Sequence, residues 1–186
     1  TVILNPAYCN DSLAAVAIAG ELGASVQSEP DRIIIESQKK PSGPATLNCN
    51  ESGLALRMFA PVSAIITESV ILEGKGSLIR RPVGMIGQAL SQLGVTVEAT
   101  DGMLPLKLTG RLRAGRAFVD GSAGSQIVTG LLMALPLADD ESRIYVAGLT
   151  SKPYIGLTLG LLAEFGINIE NDSFRTFIIP GNQSYR

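Results

Sequence analysis

The chain has 186 residues, 46% of them apolar and 17% charged, with two cysteines and no histidine. A charged share below the ~25% of an average soluble chain puts much of the sequence inside, which excludes disorder and a coiled coil. Without histidine the usual zinc centre, the serine–histidine pair and the imidazole proton shuttle are excluded. Cys9 and Cys49 are too few for a disulfide scaffold, and a net charge of −2 argues against a coat for nucleic acid.

In chain order, an amphipathic stretch from Leu13 to Leu22 ends at Gly23 and leads into Ala24-Ser25-Val26-Gln27 and then Ile33-Ile34-Ile35. The pattern reads as helix, glycine C-cap, strand, turn, strand. Ser52-Gly53 opens an apolar helix to about Ile65 that carries Arg57 as its lone charge, and Ser69 to Leu72 reads as a strand. Arg81-Pro82 then places proline where a first helical turn tolerates it, ahead of an amphipathic stretch from Val83 to Leu93. Gly94, the run Val95 to Glu98 and the run Leu104 to Leu108 repeat the earlier helix–glycine–strand–strand order.

The third pass is alike. Gly124-Ser125 opens an uncharged helix to about Leu135, and Arg143 to Ala147 reads as a strand. Ser151-Lys152-Pro153 starts a helix through Ile155 to Phe165, and Gly166, Ile167 to Glu170 and Phe174 to Ile179 follow. Gly23, Gly94 and Gly166 are 71 and 72 residues apart, and Arg81-Pro82 and Lys152-Pro153 are 71 apart. A fixed period of this length marks repeated supersecondary units. The second and third units, residues 38–110 and 111–186, each predict βαβαββ, whereas residues 1–37 hold the second half of a unit. The expected fold is α/β (α+β), a single domain with its units about a pseudo-threefold axis, helices inside and sheets outside. About 35 residues, one strand and one helix, are expected to precede Thr1. The longest uncharged run, Gly121 to Ala138, contains three glycines and a proline. That falls short of the ~20 apolar residues of a membrane span. No signal peptide is visible.

Lys75 to Arg116 carries seven basic and two acidic residues, +5, while the remainder is −7. Either this is a solvated basic face or it marks a localised anion site. Four predicted helix starts, Ser52-Gly53, Arg81-Pro82, Gly124-Ser125 and Ser151-Lys152-Pro153, would meet at one end of such a fold. Free N–H groups and the positive ends of helix dipoles there make an anion pocket. Ser125, Ser151, Gln126 and Arg81 would add side-chain donors, and Gly53 would let a ligand approach the backbone. Plain N-caps are the alternative for the serines. Tyr154 could stack on a ring substrate or sit in the core or rim.

The segments Asp120-Gly121-Ser122-Ala123-Gly124-Ser125-Gln126, Ser151-Lys152-Pro153-Tyr154-Ile155, Arg80-Arg81-Pro82 and Gly53 through Arg57 resemble the 5-enolpyruvylshikimate-3-phosphate synthase family. The resemblance covers essentially the whole chain. It implies a two-domain carboxyvinyl transferase of aromatic amino-acid biosynthesis, cytoplasmic, acting on shikimate 3-phosphate and phosphoenolpyruvate. By that resemblance Ser125, Gln126, Ser151 and Tyr154 bind shikimate 3-phosphate, and Gly53, Arg81 and Gln126 bind phosphoenolpyruvate. It calls for no cofactor, metal, nucleic acid or membrane. The family's catalytic lysine and its acid–base carboxylates would lie on the strand–helix and second domain outside the chain, so no catalytic residue is assigned and the chain alone is expected to be inactive. Four positions depart from the family pattern: Gly124 replaces a serine, Glu51 an asparagine, Leu54 a threonine and Gly156 an aspartate. The related UDP-N-acetylglucosamine enolpyruvyl transferases carry a reactive cysteine just before the equivalent of Arg81, where this chain has Ser77-Leu78-Ile79. A non-catalytic binding module on the same repeat is the remaining alternative.

Overall fold

The computed structural model describes residues 1–37, 43–122 and 124–186. The first unit consists of β1 (Val2–Leu4), α1 (Asn10–Glu21), β2 (Ala24–Ser28) and β3 (Arg32–Ser37). Next come β4 (Ala45–Asn48), α2 (Gly53–Ile66), β5 (Ser69–Glu73), α3 (Gly84–Ser91), β6 (Thr96–Thr100) and β7 (Met103–Thr109). The last set is β8 (Arg116–Asp120), α4 (Gln126–Ala134), β9 (Ser142–Ala147), α5 (Lys152–Glu164), β10 (Glu170–Asp172) and β11 (Thr176–Ile179). Residue 38, where the second unit is expected to begin, and Ala123 of the Asp120–Gln126 segment lie outside the described residues.

The sheets repeat one another. Their orders are β4-β5-β7-β6 and β8-β9-β11-β10, with β4 parallel to β5, β8 parallel to β9 and the other pairings antiparallel. The first sheet, β1-β3-β2, has the same order without the parallel strand. The α/β class and the repeated βαβαββ order expected from the sequence are thus what the chain adopts. Strands such as β8 alternate between exposed and buried residues, the pattern of a sheet with one wet face and one core face.

Local chemistry explains the element ends. Gly23, Gly94 and Gly166 have φ of +97°, +86° and +81°. Such left-handed conformations strain any residue with a Cβ and end a helix when glycine follows it. Ser52 caps α2, its Oγ accepting from the Ala55 N–H at 3.0 Å. Pro153 lies in the first turn of α5 as expected. Arg81-Pro82 does not open α3, which starts at Gly84; it links a 3-10 turn, Leu78–Arg80, to that helix.

Two expected strands are shorter than their apolar runs. β10 begins at Glu170 because Gln183 engages the backbone of Asn168 instead, accepting from its N–H at 2.7 Å and donating to its carbonyl at 3.0 Å. β11 begins at Thr176 because Ser173 and Phe174, at φ +56° and +58°, turn the chain.

The core is centred on α2 and α4, with Leu56, Ala60, Val128, Leu131 and Leu132 buried. α4 is buried nearly all round, as its uncharged sequence implies. α2 is not: Leu54, Met58, Phe59, Val62 and Ile66 form a half-buried flank, because among the described residues no helix covers that side. α5 buries Ile155 and Leu162 but leaves Leu157 71% and Leu161 54% exposed.

The two thiols fall into opposite environments. Cys49 is buried, and burial with the nearby Glu21 charge pushes its thiol up to about 12. Exposed Cys9 precedes α1, and the Ser12 hydroxyl holds its thiol below the usual range. Because the thiolate is the nucleophile, a disulfide reagent at neutral pH should titrate one thiol per chain in the native state and two in denaturant. Two native thiols, or reaction retained in Cys9→Ser, would contradict this.

Candidate anion-binding site

The N-terminal ends of α2, α4 and α5 border one cleft of about 640 Å³. Ser125, Gln126, Ser151 and Tyr154 all line it, together with Arg57. Four of the expected site residues are thus brought together from two segments 25 residues apart.

The serines divide into two kinds. Ser52 spends its hydroxyl on its own helix. Ser125 and Ser151 occupy the N-cap positions of α4 and α5, yet neither side chain caps its helix. Among the described residues neither hydroxyl has a protein partner, and both border the cleft. Thr129 and Thr158 connect α4 to α5 across the cleft wall, their hydroxyl oxygens 3.3 Å apart. Gly124, just ahead of α4, has φ of +122°, a conformation a serine would rarely adopt, and open space where a side chain would stand.

Gly53 and Arg81 sit beside this cleft rather than in its lining. Arg81 is exposed, and its Nη2 donates to Ser77 Oγ at 3.4 Å. A Cβ placed on Gly53 would lie 2.8 Å from Arg57 Nη1 and 3.0 Å from Arg81 Nη1, so two guanidiniums converge on this glycine. Arg57 Nη1 donates to Gly53 O at 3.2 Å and to Gln126 Oε1 at 3.0 Å. Burial, and then the charge of Arg81, holds the Arg57 guanidinium below its ordinary pKa. In the sequence Arg57 stands out as the lone charge of an apolar helix, but its meeting with Gln126 does not show there.

The carboxylate that would oppose an anion is turned aside. Glu51 lays its side chain directly over Gly76, whose φ of +58° and missing Cβ admit it. It borders a separate cleft with Lys75 and Asn50. A further cleft of about 510 Å³, lined by Glu68, Arg111, Arg113 and Asp139, lies by Ile65 and Leu137 near the C-terminal ends of α2 and α4. Helix C-termini carry partial negative charge, and Arg111 Nε is committed to the Ile65 carbonyl at 3.2 Å. The N-terminal cleft is therefore the better candidate for an anion site. Among the described residues no cluster of His, Cys, Asp or Glu is arranged to hold a metal, and no helix is long and apolar enough to cross a membrane.

Comparison with known proteins gives the family of the chain. The family described as EPSP synthase (3-phosphoshikimate 1-carboxyvinyltransferase) matches residues 1–186. A 3-phosphoshikimate 1-carboxyvinyltransferase of Clostridium perfringens (strain SM101 / Type A) is 36% identical over 189 residues, covering 100% of this chain and 45% of the relative. That of Edwardsiella ictaluri is 40% identical over 147 residues, 77% of this chain and 34% of the relative. An EPSP synthase structure from Acinetobacter baumannii superposes with a TM-score of 0.83 at 20% identity, covering 100% of this chain and 42% of that one, which shows a shared fold. The chain spans less than half the length of these relatives. From the repeated fold, the cleft and these matches together, the chain belongs to the EPSP synthase family.

Proposed function

We propose that the chain is the shikimate 3-phosphate-binding domain of a 3-phosphoshikimate 1-carboxyvinyltransferase. Ser125, Gln126, Ser151 and Tyr154 take shikimate 3-phosphate, and Gly53, Arg81 and Gln126 take phosphoenolpyruvate. The observation that carries this reading is the pair of N-cap serines whose hydroxyls cap nothing, facing one cleft with Gln126. A dianionic phosphate wants hydroxyls and free N–H groups at helix starts. A carboxylate or phosphate beside Gly53 would meet the planar fork of Arg81.

In the reaction the 5-hydroxyl gives up its proton as its oxygen bonds to the enol carbon of phosphoenolpyruvate, and the methylene carbon of phosphoenolpyruvate gains a proton to become a methyl group. The tetrahedral adduct then loses a methyl proton, and its C–O bond to phosphate breaks to release inorganic phosphate and leave the enolpyruvyl ether. No acid or base for these proton transfers is assigned within residues 1–186; they belong to the second domain and to the strand–helix that completes the first unit. The repeat supports that completion. β5 and β9 each carry a parallel strand on one edge, while among the described residues no strand pairs with the equivalent edge of β1, and the flank of α2 is half-exposed. We place the whole enzyme in the cytoplasm, without nucleic-acid or membrane partners.

The test is a titration of isotope-labelled chain with shikimate 3-phosphate, following the amides of residues 124–126 and 151–154. Without a closing domain the expected affinity is about millimolar, ~4 kcal/mol, and the chain alone releases no phosphate from the substrate pair. Ser151→Ala should weaken the shifts, and Arg81→Ala should weaken phosphoenolpyruvate binding more than shikimate 3-phosphate binding. Amides that stay still at high millimolar ligand would overturn this assignment and favour a non-catalytic module.

A further inference from the structure

Arg57 is a half-buried guanidinium whose polar contacts are all neutral. None of the ion pairs among the described residues includes it. The charge that acts on it is that of the like-charged Arg81, which also converges on Gly53. Such a group is costly to bury unless it is hydrogen-bonded and meets an anion.

Its Nη1 makes two bonds, to the Gly53 carbonyl of its own helix and to Gln126 Oε1, the first residue of α4. A carboxamide has one acceptor end and one donor end. With the oxygen drawn to Arg57, which can only donate, the NH₂ group is left as the end free to meet a ligand. No protein acceptor among the described residues takes Gln126 Nε2. Were the amide reversed, two donors would face each other at 3.0 Å, so Arg57 decides the orientation.

We propose that Arg57 is a positioning residue, which fixes the Gln126 carboxamide so that its NH₂ donors face the cleft and select an anion there. By gripping the Gly53 carbonyl with the same nitrogen it also holds the starts of α2 and α4 at one spacing. The inference rests on reading this cleft as an anion site, but not on which phosphorylated substrate fills it.

Inorganic phosphate is therefore the probe, with the Gln126 side-chain NH₂ signals of the labelled chain as readout. In the unmodified chain these signals should be separate, sharp and moved by millimolar phosphate. Arg57→Ala should merge or broaden them and weaken phosphate binding by about tenfold, the size of one charge-assisted hydrogen bond. Arg57→Lys, which keeps a donor, should recover part of the loss and serves as the decisive variant if Arg57→Ala does not fold. Gln126→Glu should keep its bond to Arg57 and leave the melting temperature unchanged or raised, while abolishing phosphate binding.

A purely structural arginine would give additive losses. A positioning one predicts that Arg57→Ala in a Gln126→Ala background weakens phosphate binding by less than twofold. Additive losses, full binding in Arg57→Ala, or no effect of phosphate on the Gln126 NH₂ signals would each overturn the proposal. If phosphate responds as described while shikimate 3-phosphate moves nothing beyond it, the positioning role stands and the substrate assignment falls.

Discussion

Gly130→Ala should destabilise the domain even though alanine is the better helix former. Gly130 lies inside α4 where that helix crosses α2. A Cβ there would stand 2.5 Å from the Met58 carbonyl oxygen, 2.6 Å from Pro61 Cγ and 3.0 Å from Met58 Cα. None of these atoms is the end of a flexible side chain, so the helices must separate. Overpacking of this kind costs ~1–3 kcal/mol or more, against a helix-propensity gain of ~1 kcal/mol.

Gly130→Val adds two further methyl groups and a β-branched penalty. Its net loss of ~3 kcal/mol would lower the melting temperature by roughly 6–12 °C in a domain of this size. Gly160→Ala is the control. That glycine is within α5 with nothing inside 4 Å of its Cβ position, so the same substitution should stabilise by up to ~1 kcal/mol. Opposite signs by thermal and urea unfolding are expected; stabilisation at both sites would mean that the α2–α4 crossing is not close-packed.

Supplying a strand and a helix to the first unit should have the other large effect. The flank of α2 runs from the cleft that Leu54 and Met58 line to one of about 550 Å³ bordered by Leu22, Phe59, Ile66 and Leu137. Leu157 of α5 lines the first of these clefts, and α5 also exposes Leu161 while β1 exposes Val2, Ile3 and Leu4. Contiguous apolar surface of this kind is unusual on a soluble monomer. Covering a large apolar side chain completely is worth ~1.5–3 kcal/mol, opposed by the entropy of ordering the added segment.

The chain carries its own template, because β8 and α4 already make this connection in the third unit. A copy of residues 111–141 fused ahead of Thr1 should pair with the edge of β1 that no described strand occupies and lay a helix along α2. A net gain of ~2 kcal/mol would raise the melting temperature by roughly 4–8 °C, and fluorescence of a hydrophobic dye bound to the unfused chain should fall. An unfused chain that binds no dye, or a fusion that leaves both the melting temperature and exchange at Val2–Leu4 unchanged, would count against the completed-unit proposal.

The repeat, the helix–glycine–strand order and the residues of the cleft are all legible along the sequence because their causes are local. A glycine that follows an amphipathic helical stretch can take the left-handed conformation that ends the helix, so Gly23, Gly94 and Gly166 mark the period without any knowledge of packing. Helix starts concentrate free N–H groups whatever surrounds them, so Ser125, Gln126 and Ser151 could be named as candidates for an anion site before their meeting place was known.

Packing over long separations decided the rest. Ser52 and Ser125 open equivalent helices, yet one hydroxyl caps its helix and the other does not. Gln183 displaces the start of β10 from fifteen residues away. Gly130 has to be glycine because of Met58 and Pro61, and Arg57 meets Gln126 across 69 residues. Neither requirement leaves a local trace, since each is imposed by which two surfaces happen to touch, and only the folded arrangement of α2 against α4 brings those surfaces into contact.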